Sequence, residues 1–549
     1  MEESTGSLGR QKVIQAQRDR QRSFEKVEPR ITDWPSQLVS PCTNLPRSLL
    51  TESEIRLTEE YSVKELLHKL RQRTVTAEEV TRAFLRRAAI AQHATNCLTE
   101  LLWDQAIERA KSLDSLPGPL GPLHGLPIST KENQGMRGKG QTCNTGYVAW
   151  IGRPSDSNFL HDVLWNAGCV FYARTTLPQT VMHLETNNNI TGRTVNPYNL
   201  DHTSGGSSGG EGALVAMRGS LLGIGGDIGG SIRVPAAFNG VYGYKPTSSR
   251  FPVGGSRVHM QGKDTIAGVN GPICTDRDTI EVLMKVVMDA KPWRSDPGVI
   301  PQPWSPYTFT KPLKIAIQWS DDIVCPHPPV TRALREVAAA CKAAGMKVID
   351  WVSLDHAKGW NITSGLYFPD GGEEVLGLLK EAGESVLPLT KFIIEEQPNV
   401  KNRTQKELWN LCLERDRYRS LYARHWSDTD QDGDEVDVIL GPAYPGAAPP
   451  HDCARYWSYT STWNLLDYPS VVFPVTKVSL EDHKDTSYSP KNVQDKYNYD
   501  LYENAAYLGL PVNLQLIARR NYDEKLLAAL ALVEQAIKRL RERNSEFSI

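Results

Sequence analysis

The chain has 549 residues, 40% of them hydrophobic and 23% charged, with a formal net charge of −2. That much apolar material excludes disorder for most of the chain, and near-neutral charge without a basic stripe argues against a nucleic-acid partner. No run of about 18 apolar residues occurs, so no membrane-spanning helix is expected, and the N-terminus lacks the apolar stretch of a secretory signal.

Residues 1–50 are polar, Arg-rich and punctuated by proline, and read as an N-terminal extension that wraps the surface or frays. Helical signals begin at Thr51. The pairs Thr51 and Glu54, Ser62 and Glu65, and Thr76 and Glu79 all have capping-box spacing. Leu66, Leu67 and Leu70, then Val80, Phe84 and Ala88, supply apolar faces at helical period. Short apolar runs at 125–129, 168–173, 314–317 and 436–440 read as buried strands. Residues 523–542 form an amphipathic helix through Leu526, Leu530, Val533, Ile537 and Leu540. The alternation predicts an α/β fold in which helices cover both faces of a sheet. No repeat or clean linker is visible, so one large domain is expected over residues 51–549. The polar stretch 479–500 reads as a surface loop. Nine scattered cysteines, odd in number and without a Cys-x-x-Cys pair, fit a reduced, cytoplasmic setting. The sequons at Asn189, Asn361 and Asn402 then read as chance matches.

Thirteen of the 42 glycines fall between Ser204 and Gly243. The run Gly205-Gly-Ser-Ser-Gly-Gly210 precedes a predicted helix at 211–217. Asp227-Ile-Gly-Gly-Ser231 precedes a second helix start, where Pro235 is tolerated in the first turn. Backbone N–H groups at such turns have no helical partner and form a concavity for an anion, including the oxyanion of a tetrahedral intermediate. A phosphate loop is excluded because no Lys-Ser/Thr follows at Walker spacing, and the dinucleotide pattern G-x-G-x-x-G is absent. The elbow pattern G-x-S-x-G matches at Ser207 and at Ser208, but a turn-like segment precedes it where an elbow needs a strand. A glycine hinge that packs helices closely on the sheet stays open as the plain alternative. A serine nucleophile needs a base. No histidine is near Ser231 in sequence; His451 is the histidine to inspect. Lys131, at the end of the apolar segment His124-Gly-Leu-Pro-Ile-Ser-Thr, is the other option, since desolvation favours a neutral amine.

The run GGSSGGEGA, then DIGGSIR, with Gly-x-Pro-x-x-x-Lys upstream, resembles the amidase signature family. Segments 178–179, 185–190, 192–197, 236–240, 463–467 and 510–512 are similar to its fungal acetamidase and general amidase branch, and the likeness runs from about residue 51 to 540. The resemblance implies the amidase signature fold, with a mixed central sheet. It also implies hydrolysis of linear carboxylic acid amides through an acyl-enzyme, without metal or organic cofactor. Ser231 matches the nucleophile, Ser207 the bridging serine and Lys131 the base, with a cis Gly206–Ser207 peptide. The N–H groups of Ile228, Gly229, Gly230 and Ser231 match the oxyanion hole, and Asp227 and Arg233 match supports of that loop. Val181 and Met182 align with substrate-lining positions of the fatty acid amide hydrolase branch, where Ser207 also touches substrate; ordinary core packing is the competing reading of both. Departures are Glu132 after the lysine, Gly226 where threonine is common, and a segment at 138–146 that is about two residues longer than usual and contains Cys143. The implied partner is a small-molecule amide, with no nucleic acid and no membrane span; a homodimer is possible.

Residues 428–433 imitate the start of a calcium loop, but position twelve would be Ile439 where a bidentate Glu is required, so a solvated acidic turn is expected. Two other functional classes differ in testable ways. An ammonia-passing amidotransferase subunit would need a partner enzyme. A silent scaffold would have lost Ser231, Ser207 or Lys131, and all three are present.

Overall fold

The computed structural model describes residues 2–136, 143–431 and 433–546. Its centre is an eleven-stranded sheet. In chain order the strands are β1 (Leu98–Leu101), β2 (Pro127–Lys131), β3 (Val170–Thr175), β4 (Leu222–Asp227), β5 (Tyr242–Lys245) and β6 (Val269–Cys274), followed by β7 (Lys314–Ile317), β8 (Lys347–Asp350), β9 (Val438–Pro442), β10 (Ser470–Lys477) and β11 (Pro511–Ile517). Their spatial order is β1-β3-β2-β4-β6-β5-β10-β11-β9-β7-β8. The β3–β2–β4 block is parallel, as is β9–β7–β8. The strands between them are antiparallel, so the sheet is mixed.

Successive residues of a strand point to opposite faces, and here they feed two separate apolar layers. Ile315, Ile317, Val471, Phe473, Leu514 and Leu516 join one layer, while Ala316, Val472 and Ile517 join the other. Helices close both layers. The three predicted capping boxes all form, at Thr51, Ser62 and Thr76, and the last helix runs Asp523–Glu546.

Two expectations need correction. Part of the N-terminal extension is a helix, Glu2–Glu25. Its Gln17 donates to Ile190 O at 2.9 Å and its Arg20 to Leu98 O at 2.8 Å. Val13 and Ala16 pack against one apolar layer and Phe24 against the other, too sparse a stripe to read as an amphipathic helix; tertiary contacts hold it. The stretch 479–500 contains the start of a helix, Val493–Leu501, capped by Asn492. Its buried Asp495 accepts from Cys325 N and Tyr488 Oη, polar contacts that leave no apolar period.

Candidate active site

Three segments meet at the site. β2 ends in Lys131, the turn 204–208 enters the helix Gly209–Ala216, and β4 runs through the turn 228–232 into the helix Arg233–Phe238. Ser231 therefore stands on a strand–turn–helix junction, which the elbow pattern at Ser207 and Ser208 did not point to. The two glycine-rich turns are tied by Ser208 N donating to Ser231 O at 3.0 Å. The Gly206–Ser207 peptide is cis.

Lys131, Ser207 and Ser231 are 1%, 1% and 3% exposed. Lys131 Nζ is hydrogen-bonded to Ser207 Oγ at 2.6 Å, and among the described residues no carboxylate lies within ion-pair reach of it. Burial pushes its pKa down to about 7, against the opposing pull of Asp227 and Glu211. Ser231 Oγ makes no hydrogen bond to protein among the described residues.

Asp227, the last residue of β4, organises the second turn. Its Oδ1 accepts from Gly230 N at 2.9 Å, Asn464 Nδ2 at 2.8 Å and Arg233 Nη2 at 3.0 Å. Its Oδ2 accepts from Ile232 N at 3.1 Å and Arg233 Nε at 3.0 Å. Both side chains of this pair are 0% exposed. Burial alone would raise the Asp227 pKa, but the Arg233 guanidinium and the hydrogen bonds from Arg233 and Asn464 outweigh it and hold the group well below the carboxylate range. Arg233 also donates to Thr460 O and Asn464 Oδ1.

The carbonyls of the same turn are held from outside. Tyr367 Oη donates to Ile228 O at 2.7 Å and Thr460 Oγ1 to Gly229 O at 2.7 Å. Because a peptide is planar, fixing the Ile228 carbonyl also aims the Gly229 N–H. Gly230 has φ +131°, a conformation that glycine alone adopts readily. Of the four N–H groups singled out in sequence, that of Gly230 is engaged by Asp227. Those of Ile228, Gly229 and Ser231 have no protein acceptor among the described residues. Sequence reasoning missed Tyr367 and Thr460, which lie 139 and 231 residues away from their partners; no local signal marks them.

The remaining candidates fall as follows. Met182 is buried in the second apolar layer and Val181 is half-buried. Thr180 and Val181 both have left-handed backbone, φ +66° and +63°, costly for β-branched residues. The preceding Gln179 is clamped by Glu384, Ser385, Leu387 and Thr390. Glu132 accepts from Asn144 N and Thr145 N, so its extra methylene anchors the following loop. Cys143 is buried with Sγ 3.2 Å from Arg174; residues 138–142 of the longer segment expected there lie outside the described residues. At Gly226 an added Cβ would stand 3.6 Å from its nearest neighbour, Gln134 Nε2, so glycine leaves free space there. His451 bonds Leu200 O at 3.0 Å. In the calcium-loop imitation, Asp432 lies outside the described residues, and β9 follows where an exit helix would be needed. All nine cysteines are free thiols.

The Amidase family model matches residues 79–527. Among curated proteins, the chain is 44% identical over 509 residues to a Schizosaccharomyces pombe protein named as an amidase, C550.07, covering 91% of this chain and 94% of that one. It is 40% identical over 495 residues to the acetamidase of Emericella nidulans, covering 87% and 89%. Among solved structures, fatty acid amide hydrolase superposes with a TM-score of 0.88 at 34% identity, covering 96% of this chain and 94% of that one. The fold and these matches define a hydrolase of C–N amide bonds. The chain belongs to the amidase family, the amidase signature enzymes.

Proposed function

We propose that the protein cleaves a linear carboxylic acid amide to carboxylate and ammonia or amine through Ser231, Ser207 and Lys131. The observation that carries this reading is the 2.6 Å contact between a fully buried Lys131 and Ser207. Burial that lowers the amine to about 7 leaves a neutral fraction at neutral pH that can accept a proton. Lys131 takes the proton of Ser207 as Ser207 takes that of Ser231, and Ser231 Oγ bonds to the amide carbon. The oxyanion is received by the N–H groups of Ile228, Gly229 and Ser231, with Gly230 shared with Asp227. The tetrahedral intermediate collapses as Ser207 and Lys131 return a proton to the leaving nitrogen. Water, deprotonated by the same pair, then attacks the acyl-serine and releases the acid. No step calls for a cofactor.

Val181 and Met182 are proposed to border the acyl chain. Nine free thiols, with no helix among the described residues long and apolar enough to cross a membrane, support a cytoplasmic place of action. The test is ammonia release from a panel of small aliphatic, aromatic and long-chain amides, run beside Ser231→Ala, with a fluorophosphonate probe to mark the nucleophile. Equal turnover by wild type and Ser231→Ala, or labelling of Ser207 with Ser231 left untouched, would overturn the assignment.

A further inference from the structure

Beneath Lys131 lies a carboxyl group that the proposed reaction does not use. Glu211, in the helix Gly209–Ala216, is fully buried. Its Oε1 accepts from Thr175 Oγ1 at 2.9 Å, and its Oε2 lies 2.6 Å from Ser129 Oγ. Ser129 is two residues before Lys131 on β2, hence on the same face, and Thr175 is paired with Lys131 across the β2–β3 ladder. The carboxyl thus flanks the lysine from both strands. Gly223 makes the room for it: a Cβ there would stand 1.8 Å from Glu211 Oε2.

The hydrogen bonds around this carboxyl can be counted. Ser129 Oγ is 2.9 Å from Ser220 Oγ, which is 2.9 Å from Leu222 O. Glu211–Ser129, Ser129–Ser220 and Ser220–Leu222 are three contacts that need three protons. The two hydroxyls supply two, and the carbonyl supplies none. A proton on Glu211 Oε2 completes the chain; a carboxylate leaves one close contact between two acceptors, buried and unpaired. Among the described residues no basic group lies within ion-pair reach of Glu211, which removes the usual compensation for a buried charge.

We infer that Glu211 is a neutral carboxylic acid in the resting protein, donating to Ser129, so that it positions Lys131 without stabilising the ammonium form. One proton shared by this pair could instead sit on the amine, giving ammonium and carboxylate; the hydroxyl count selects the neutral pair. Burial pushes Glu211 up to about 7, opposed by the Ser129 and Thr175 hydrogen bonds and by Lys131. The titratable groups facing Glu211 are Lys131, Cys97 and Tyr172, and those facing Lys131 are Asp227 and Glu211. Asp227 is committed to Arg233, so Glu211 is the group whose charge state is free to decide that of the lysine.

The inference rests on the Ser231–Ser207–Lys131 reading for its consequence, but its first test does not involve turnover. Infrared difference spectra of the full-length protein, labelled with 13C-glutamate, are compared at neutral pH between wild type and Glu211→Gln. A protonated-carboxyl band lost in the variant is expected; loss of a carboxylate band instead overturns the inference. The second test is kinetic. Glu211→Ala removes the chain and should lower kcat at least about tenfold, as misplacement of a general base does. Glu211→Gln donates to Ser129 and accepts from Thr175 as the neutral acid does. It should restore most of kcat, with the acid limb of kcat/KM within about 0.3 pH of wild type. A shift of that limb to lower pH by about one unit or more would mean that a negative charge had been removed, and would overturn the inference. Should Glu211→Ala fail to fold, wild type against Glu211→Gln still decides. If Lys131→Ala keeps a wild-type acid limb, the triad reading fails, whatever the infrared band shows.

Discussion

The two glycine-rich turns look alike in sequence but are built in opposite electrostatic ways. The turn around Ser231 is organised by an ionised pair, Asp227 and Arg233, with five good hydrogen bonds on one carboxylate. The turn around Ser207 meets Lys131 and, behind it, Glu211, neither of which has an ion-pair partner among the described residues. Both regions are fully buried, so burial alone does not explain the difference. Backbone N–H groups must be aimed once and then held, and a permanent charge with saturated hydrogen bonds does that. A group proposed to pass a proton, as Lys131 is, must sit near the point where either form is accessible, and a fixed counter-ion would pin it in one form.

Breaking the moving side at its proposed nucleophile should have the largest effect. Ser231→Ala is expected to lower kcat by at least about 10⁴-fold, measured as ammonia release, with the melting temperature little changed because the side chain makes no protein hydrogen bond among the described residues. Breaking the fixed side should act on the fold as well. Asp227→Ala strands a buried Arg233 and should cost about 3–5 kcal/mol of stability, read by denaturant unfolding, with activity falling in the fraction that stays folded. If Asp227→Ala proved as stable as wild type, the claim that this turn is organised by its ion pair would be wrong.

The contrast between the turns was only partly legible in the sequence. Capping boxes and strand cores follow from local spacing and apolar period, and they appear where such signals are strong; the mixed sheet came from the family resemblance. The two serines and the lysine came from motif likeness, because no spacing rule links Lys131 to Ser207 across 76 residues. What stayed hidden was contributed from far away. Tyr367 and Thr460 reach the turn from the helices His356–Tyr367 and Ser458–Leu465, far from it in sequence, and Glu211 sits inside the motif but draws its meaning from Ser129, Thr175 and Ser220. The Glu2–Glu25 helix was misread because its apolar contacts are sparse and polar ones from Gln17, Arg20 and Ser23 help to hold it. In each case the deciding contact is long-range, and local sequence carries no trace of it.

The pH profile sharpens the comparison with a moderate effect. Burial holds Lys131 near 7, so its neutral, base-competent form dominates above that pH and is lost as pH falls through it. The expected kcat/KM therefore drops about tenfold per unit below about pH 7. Asp227, held well below the carboxylate range, should add no inflection in that window, which assigns the limb to the relay and not to the frame. An acid limb that moved when Asp227 was replaced by Asn, in protein that still folds, would contradict that division.

The smallest expected effect tests how the frame is held from outside. Tyr367→Phe removes one hydrogen bond, the 2.7 Å contact to Ile228 O, and leaves the ring packed against Trp457. A single such bond is worth about 0.5–1.5 kcal/mol. If it serves to aim the Gly229 N–H at the developing oxyanion, that energy should appear in kcat as a decrease of about two- to tenfold, with KM and the pH of the acid limb unchanged. If it only packs the helix His356–Tyr367 against the turn, the loss should appear in unfolding instead, with kcat intact. The variant therefore separates a contact that shapes the transition state from one that merely holds a helix to the turn, and the first outcome is expected because the bonded carbonyl belongs to the same peptide plane as a proposed oxyanion donor.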